Sequence, residues 1–426
     1  MPTIKDIKAR EIIDSRGNPT VECDIILDNS ILGRASVPSG ASVGSHECKE
    51  IRDNEDRFFG KGVLKAVNNI NNQIKKNILN FDIYNQRDID NKLISLDGTK
   101  DMSNLGAYSI LAVTIACAKA AALSKNIFLY EYLNIKNSNI LPVPMFNILN
   151  GGSHADNNID FQEFMIAPIG ANSFKNSIQI GCEIFHSLKK NLSKKSLNTN
   201  VGDEGGFAPN LRSPNEALDL ILESVIQCNY KPGKDIVIAL DVASNEFFDG
   251  KNYNLKGENK ILSSEEFCNY LDNISNNYPI YSIEDCLSED DWSGWKILTN
   301  LIGNKIQLVG DDLFVTNLER LSKGVNEKIA NSILIKLNQI GTITEVNDVI
   351  SYATNNKYSC IISHRSGETE DTTIADLSVA SNAGQIKTGS LSRTDRLSKY
   401  NQLIRIEENL GKNAKFYGNK VLNSKH

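Results

Sequence analysis

Charged residues that could hold a metal ion or move a proton follow six apolar runs in the second half of the chain. They are Asp241, Glu284, Asp311, Lys336, His364 and Lys387. Three carboxylates supply the hard oxygen ligands that Mg²⁺ prefers and leave coordination positions for substrate oxygens. We therefore predict a magnesium site at Asp241, Glu284 and Asp311; the alternative is three solvated acids that merely end strands.

The two lysines are candidate acid–base groups. A lysine at the end of an apolar run is either a stem that carries its charge to solvent or a functional amine. Burial and a nearby cation both lower the pKa of a lysine. Beside a metal ion, one of Lys336 and Lys387 is therefore expected to be neutral and able to act as a general base.

A candidate anion site follows His364. The guanidinium of Arg365 offers a planar fork for a phosphate group, and Ser366 adds a hydroxyl. The alternative is an exposed arginine paired with Glu368 or Glu370. We interpret the turn as a phosphate-binding turn.

Three glycine-rich turns carry further candidates, each a weak signal by itself. Residues 150–156 include His154, and residues 202–207 include Glu204, in turns that glycine tolerates easily. Residues 38–45 lack the G-x-x-x-x-G-K-[ST] pattern of a P-loop. They are interpreted as a mobile flap, with Ser42 as a candidate oxygen ligand.

The runs that end in these residues are typical of parallel strands in a (β/α) barrel. Each is a near-continuous stretch of Val, Ile and Leu, as expected of a strand buried on both faces. From Ile236 onward they recur at roughly the spacing of one strand and one helix per unit. The carboxyl ends of barrel strands form one mouth, so the six side chains are expected to converge there.

Residues 1–135 predict a smaller domain in front of the barrel. An antiparallel sheet is expected from 4–14, 20–28 and 32–37, where a dense turn signal separates the first two segments. Helical spacing then occurs at 63–80, 88–96, 106–124 and 129–133. A sheet followed by helices is typical of an α+β domain. Prolines in 140–144 indicate the joint, so we predict an N-terminal α+β capping domain, residues 1–135, and a barrel catalytic domain, residues 140–426.

Composition argues against several classes of protein. The chain has 426 residues, a formal net charge of -6, and eight cysteines without a C-x-x-C pair. The negative charge disfavours a nucleic-acid-binding protein, and the scattered cysteines favour free thiols in a reducing compartment. The most apolar segment, residues 108–123, contains Thr114 and Lys119 and is interpreted as a buried helix rather than a membrane span. The N-terminus lacks the apolar stretch of a signal peptide, so we expect a cytoplasmic protein that requires neither nucleic acid nor membrane.

These segments together resemble the enolase family. The residues that carry the resemblance are 14–22, 38–42, 202–209, 282–285, 309–312, 362–369 and 385–390. They extend from the first strand nearly to the C-terminus. The resemblance implies an α/β fold, with a C-terminal eightfold (β/α) barrel of enolase type whose first elements run ββαα. It also implies a lyase that interconverts 2-phosphoglycerate with phosphoenolpyruvate and water in glycolysis and gluconeogenesis.

The resemblance further implies two metal ions and two lysine roles. Asp241, Glu284 and Asp311 would hold the first Mg²⁺, and Ser42 would help to bind a second that arrives with substrate. Lys336 would abstract the proton next to the substrate carboxylate. The second lysine, Lys387, would stabilise the dianionic intermediate.

The remaining site residues are assigned by the same resemblance. Glu204, with Glu163 near it, would protonate the departing hydroxyl, a task for which a buried glutamate with a raised pKa is suited. Arg365 and Ser366 would grip the phosphate group of this small-molecule substrate. The residues that would line the pocket are His154, Gln162 and His364.

The family forms dimers or larger rings, so a homodimer or higher homo-oligomer is expected. Arg10, Glu22, Arg405 and Glu408 occupy positions similar to its dimer salt bridges; the alternative is surface ion pairs worth little. Cys286 stands where the family often has glycine or proline, and its thiol is expected near the mouth, where oxidants would reach it.

Two other functions remain open at this point. One is a different member of the superfamily, acting on acid sugars or as a racemase; such members generally lack the phosphate-gripping turn and the Glu204 loop. The other is a surface or partner-binding protein in which enolase activity is incidental.

Overall fold

Alternating buried side chains build a small antiparallel sheet at the N-terminus of the computed structural model, which describes residues 1–40, 44–134 and 138–421. Its strands, in the order β1-β2-β3, are β1 (Ile4–Ile13), β2 (Pro19–Leu27) and β3 (Leu32–Ser36). Val21, Cys23 and Ile25 of β2 are fully buried on one face. That face packs against helices, as an α+β domain requires.

In the described part of this domain, α-helical segments pack on the sheet and on one another. They are α1 (Leu64–Asn68), α2 (Lys75–Ile78), α3 (Gln86–Asp97), α4 (Ala107–Ser124) and α5 (Leu129–Tyr132). A π-helical stretch, Asn69–Ile74, joins α1 to α2, so the helix predicted at 63–80 is one helical rod with a widened middle. Gly33 lets α4 lie directly on β3, because a Cβ there would come within 2.7 Å of the Ala120 Cβ.

Among the described residues, one helix is long and apolar enough to cross a membrane by length and composition. It is α4, and 83% of this 18-residue helix is buried inside the fold. This burial agrees with the interpretation of residues 108–123 as a core helix.

Eight strands close into a barrel after a two-residue strand, β4 (Ile140–Leu141). The barrel strands are β5 (Val143–Asn150), β6 (Glu163–Ala167), β7 (Val237–Asp241), β10 (Ile280–Glu284), β11 (Gln307–Gly310), β12 (Ser332–Ile335), β13 (Ser359–Ser363) and β14 (Gln385–Lys387). A hairpin formed by β8 (Tyr253–Leu255) and β9 (Lys260–Leu262) lies outside the barrel, as does β15 (Lys415–Phe416), which pairs with β4. Neighbouring barrel strands are parallel except that β6 is antiparallel to both β5 and β7.

Helices surround the barrel. They are α6 (Phe174–Lys194), α7 (Pro214–Gln227), α8 (Ser264–Asn277), α9 (Trp292–Ile302), α10 (Leu318–Glu327), α11 (Leu337–Ile340), α12 (Ile343–Asn355), α13 (Thr373–Ala380) and α14 (Thr394–Leu410). Several begin at a serine, threonine or asparagine whose oxygen accepts a backbone N–H, for example Ser213 before α7 and Asn317 before α10. Because α6 and α7 follow β5 and β6, the barrel opens with the ββαα order that the resemblance implied.

The fold differs from the sequence prediction at the start of the barrel. Residues 143 and 144, placed in the joint because of their neighbouring prolines, belong to the first barrel strand. Pro144 is tolerated although it cannot donate to a ladder. The regular strand–helix repeat predicted from Ile236 onward is present.

The small domain contacts the barrel next to its mouth. Ser39 and Gly367 exchange two backbone hydrogen bonds, of 2.7 and 2.9 Å, and the Ser15 N–H donates to the Glu368 carbonyl at 2.7 Å. A Cβ on Gly367 would lie 2.8 Å from Asp14 Oδ2 and 2.9 Å from the Ser39 carbonyl oxygen. Glycine is therefore required at this seam, which joins the capping domain to the predicted phosphate turn.

Candidate active site

The strand-end side chains meet in one pocket at the barrel mouth. The pocket is lined by all the predicted site residues that the structure describes except Glu284, which is buried in contact with the lining residue Lys387. The lining set includes His154, Gln162, Glu163, Glu204, Asp241, Asp311, Lys336, His364, Arg365, Ser366 and Lys387. Ser42 lies outside the described residues.

The reversed strand β6 explains why two of these residues come from the start of a strand. Because β6 runs against its neighbours, its first residue, Glu163, lies at the mouth, opposite Asn150 of β5 and Asp241 of β7. Gln162 immediately precedes it and donates to Asp241 Oδ2 at 3.3 Å. A prediction that selects only the last residue of each apolar run therefore misses Glu163 and Gln162, which lie at the start of β6.

Lys387 lies among three buried carboxylates. Its Nζ is 2.9 Å from Asp241 Oδ2, 2.8 Å from Glu284 Oε1 and 3.1 Å from Glu163 Oε1. Burial acts to lower the pKa of Lys387, but the negative charges of these neighbours outweigh it and raise the pKa well above its usual value. Lys387 is therefore a fixed cation.

Lys336 pairs with Asp311. Their side chains form a close ion pair between Nζ and Oδ2. Burial acts to lower the pKa of Lys336, but the negative charges around it, chiefly those of Asp311 and Glu284, together outweigh burial and raise the pKa. The protein's own charges therefore do not produce the neutral lysine expected from the sequence; they keep both lysines protonated.

The carboxylates of Asp241, Glu284 and Asp311 have the donor chemistry that a hard divalent cation prefers, although the groups whose ligand atoms lie within 4.8 Å of one another are the two described below. Each residue is at most 6% exposed, and all the donors are oxygens, without a thiol or imidazole among them. Buried carboxylates require compensating positive charge, and here the ammonium groups of Lys387 and Lys336 contact the three acids. This donor set suits Mg²⁺ by chemistry and by charge.

A second acidic group overlaps this one. Oxygens of Asp285, Asp311 and Asp312 lie within 4.8 Å of one another. However, the two oxygens of Asp285 accept the backbone N–H groups of Asp311 and Asp312, each at 2.9 Å, and Asp312 accepts from the Asn245 amide at 2.8 Å. These engaged carboxylates orient the loop that carries Asp311, as groups behind a metal ligand typically do.

Across the pocket, His154, Glu163 and Glu204 form a compact cluster. Their ligand atoms lie within 4.8 Å of one another, and all three residues are buried. Burial, reinforced by the charge of Glu204, raises the pKa of Glu163 well above its usual value. Burial would also raise the pKa of Glu204, but His364, His154 and Arg396 lower it more, and the net direction is downward. The raised pKa expected for Glu204 is found instead at Glu163.

His364 faces Glu204 as a neutral ring. Burial lowers the pKa of His364 to about 3, so the ring carries no charge at neutral pH. The Arg396 Nη1 group, which can only donate, lies 2.6 Å from His364 Nδ1. The ring proton is therefore on Nε2, which lies 3.3 Å from Glu204 Oε2. His364 thus favours the ionised form of Glu204 through its N–H dipole.

Arg396 is a site residue that no sequence motif indicates. Its guanidinium is fully buried and donates to the carbonyls of Arg365 at 2.6 Å, Ser366 at 2.5 Å and Asp203 at 3.2 Å. It therefore holds the phosphate turn and the Glu204 loop in fixed relation. Arg396 lies in an ordinary amphipathic helix, α14, where no local sequence motif marks it as a site residue.

The predicted phosphate turn is anchored by the capping domain. Arg365 is 4% exposed, and its Nη1 contacts Glu47 Oε2 at 2.8 Å and Asn338 Oδ1 at 3.2 Å. The pairing with Glu368 or Glu370 considered for an exposed arginine is thus replaced by a buried pair with Glu47. Arg16 lies 3.4 Å from Ser366 Oγ and 3.3 Å from Asp203 Oδ2.

Two secondary predictions can be compared with the structure. Cys286 is fully buried and contacts the Ile283 carbonyl at 3.4 Å, and burial raises the pKa of its thiol well above the usual value. The expectation of an oxidant-accessible thiol is therefore wrong. Of the dimer candidates, Arg10 and Glu22 pair with each other at 2.5 Å within the chain, whereas Arg405 and Glu408 are exposed.

Two family models match the chain. The model described as "Enolase, N-terminal domain" matches residues 4–133, and the model described as "Enolase, C-terminal TIM barrel domain" matches residues 138–425. Together they span both the capping sheet and the closed barrel.

Proposed function

Because the chain belongs to the enolase family of lyases, we propose that it interconverts 2-phosphoglycerate with phosphoenolpyruvate and water. The observation that supports this most directly is that one pocket brings together a metal-type carboxylate set, two lysines and the Glu163–Glu204 pair. Loss of water by this route needs a base and an acid on opposite sides of the substrate. The pocket has both.

The chain's own residues divide the reaction between them. We assign proton abstraction to Lys336: a metal ion held by Asp311 would offset the carboxylate charge that raises the pKa of this lysine, and would leave the amine neutral. Lys387, held as a cation among three acids, stabilises the negative charge that develops on the substrate carboxylate. Arg365 and Ser366 hold the phosphate group, and Gln162, His154 and His364 orient the substrate from the pocket wall.

We assign proton delivery to the hydroxyl leaving group to the Glu163–Glu204 pair. Burial raises the pKa of Glu163 and so favours its protonated form, while Asn147 donates to Glu204 Oε2 at 3.1 Å and fixes its orientation. Hydroxide is a poor leaving group, so a carboxylic acid that is protonated near neutral pH supplies what the step requires.

We propose that Asp241, Glu284 and Asp311 hold one Mg²⁺ and that Ser42 contributes to a second site filled together with substrate. When bound, Mg²⁺ supplies positive charge that stabilises the second negative charge formed on the substrate carboxylate. The three buried oxygen donors described above support this assignment.

We extend the proposal to the state of the protein in solution. A homodimer or larger homo-oligomer in the cytoplasm, without nucleic acid or membrane, is consistent with a net charge of -6 and with the exposed Arg405 and Glu408 on α14. Sedimentation that shows only monomer at micromolar protein would reject the dimer.

The central test separates proton abstraction from dehydration. The wild-type protein is expected to convert 2-phosphoglycerate into a product that absorbs in the ultraviolet as an enol phosphate, and EDTA is expected to abolish this conversion. Lys336→Ala should lose exchange of the carbon-2 proton with solvent. Glu204→Gln should retain exchange and lose dehydration, and retained exchange in Lys336→Ala would overturn the base assignment.

A further inference from the structure

A buried carboxylate of the capping domain is the direct charge partner of the proposed phosphate arginine. Glu47 is 3% exposed, and its Oε2 lies 2.8 Å from Arg365 Nη1. The pair crosses the seam between the two domains. Glu50 lies near the same guanidinium and accepts, at 3.5 Å, from the amide of Asn338, whose oxygen contacts Arg365.

Glu47 is itself held firmly by neutral donors. Its Oε1 accepts from the Gly44 N–H at 3.1 Å and from Gln339 Nε2 at 3.2 Å. The same Gln339 nitrogen donates to Asp311 Oδ1 at 2.9 Å, and its oxygen accepts from Thr316 Oγ1 at 2.7 Å. One amide therefore links the carboxylate behind Arg365 to the proposed metal ligand Asp311.

We propose that Glu47 is a positioning residue that limits how strongly Arg365 attracts the phosphate group of the substrate. The proposal rests on the proposed function, which makes Arg365 a phosphate ligand. Glu47 fixes the guanidinium from behind while its negative charge opposes that of an incoming dianion. The site is thereby oriented for phosphate without binding it so tightly that product release becomes slow.

Electrostatic repulsion gives the direction in which Glu47 changes phosphate binding. An anion bound on the pocket side of Arg365 shares one guanidinium with Glu47, so the two anions repel each other across it. Glu47→Gln keeps an oxygen that can accept from Arg365 but removes the charge. At the effective dielectric constant of a protein interior, loss of the Glu47 charge from the far side of the guanidinium should strengthen phosphate binding by roughly tenfold.

Inorganic phosphate is a suitable probe because its binding can be followed without turnover, by calorimetry at constant Mg²⁺. We expect Glu47→Gln to bind phosphate roughly tenfold more tightly than wild type, with a lower KM and a lower kcat for 2-phosphoglycerate. Glu47→Asp draws the charge back by one methylene and should bind phosphate roughly two- to threefold more tightly.

Asp90→Asn is the matched control. Asp90 is another fully buried carboxylate at the domain seam, where it accepts from the Thr344 N–H at 3.0 Å, and it does not line the pocket. Its loss should lower stability and leave phosphate affinity unchanged.

Equal or weaker phosphate binding by Glu47→Gln would overturn the proposal. If Glu47→Gln does not fold, unchanged or weaker binding by Glu47→Asp is enough to reject it. Failure of the proposed function is separate: wild-type protein would then not turn over 2-phosphoglycerate, while the phosphate affinities would still differ as predicted.

Discussion

Replacing Arg396 by lysine should damage the proposed active site without removing any group that touches substrate. The guanidinium is fully buried and spans four acceptors: the carbonyls of Arg365, Ser366 and Asp203, and Nδ1 of His364. A lysine ammonium keeps the charge but is a single point, and it cannot reach acceptors on two separate loops.

The magnitude follows from the bonds that are lost. If lysine retains two of the four contacts, two charge-assisted hydrogen bonds disappear at about 1.5–3 kcal/mol each, so the free energy of unfolding should fall by roughly 3–6 kcal/mol. The loops would also lose their fixed spacing. A displacement of about 1 Å at reacting groups costs on the order of a hundredfold in rate, and we expect a loss of that size in kcat/KM for 2-phosphoglycerate.

Urea unfolding and steady-state kinetics measure the two effects. Arg52→Lys is the control, because Arg52 also holds carbonyls, those of Pro19 at 2.6 Å and Lys61 at 2.9 Å, but within the capping domain. It should lose stability and keep kcat/KM within about twofold, since its acceptors do not form the pocket. If Arg396→Lys matches wild type in both measurements, the idea that one guanidinium sets the spacing of the two loops is wrong.

Three further outcomes are expected. The pKa of His364 is lowered in the folded protein to about 3, so the unfolded chain binds this proton first as pH falls. Stability should therefore be lost between about pH 6.5 and pH 3, by up to about 5 kcal/mol. Urea unfolding across this range should show a flatter pH dependence of stability for His364→Asn, and the same pH dependence as wild type would contradict the assignment. Gly367→Ala should destabilise by about 1–3 kcal/mol and lower kcat/KM, because its Cβ would lie 2.9 Å from the Ser39 carbonyl oxygen; a fully stable variant would show that the seam can open. Iodoacetamide should modify the partly exposed Cys182 and Cys228 of the native protein before the buried Cys286, and rapid labelling of Cys286, read by mass spectrometry, would contradict its burial.

The regular part of the barrel was predictable from the chain because each strand is buried on both faces. That burial forces continuous runs of Val, Ile and Leu, and the polar residue that follows each run marks the mouth. Asp241, Glu284 and Lys387 end their strands as the runs indicated, and Asp311, Lys336 and His364 directly follow theirs.

The start of the barrel was not predictable in the same way. Strand β5 contains Pro144, which normally argues against a central strand. The next strand, β6, is reversed, so its functional residue stands at its first position instead of its last. Only the family resemblance selected Glu163 and Gln162.

The partners that tune the site were beyond the reach of sequence spacing. Glu47 meets Arg365, and Arg396 meets Asp203, only through tertiary contact between distant segments. The protonation of the glutamate pair also depends on such contacts. His364 and Asn147 face Glu204, whereas Glu163 lacks a hydrogen-bond donor on Oε2 among the described residues.

The ring of strands is completed by its two ends. Residues 143–145 of β5 pair with residues 385–387 of β14. At a synthesis rate of about 5–20 residues per second, β14 is therefore made roughly ten to fifty seconds after β5. Through that interval an apolar edge is open to other nascent chains. This delay in barrel closure favours binding of the nascent chain by a chaperone. A truncated chain that ends before β14 would leave the ribosome with an open, aggregation-prone sheet.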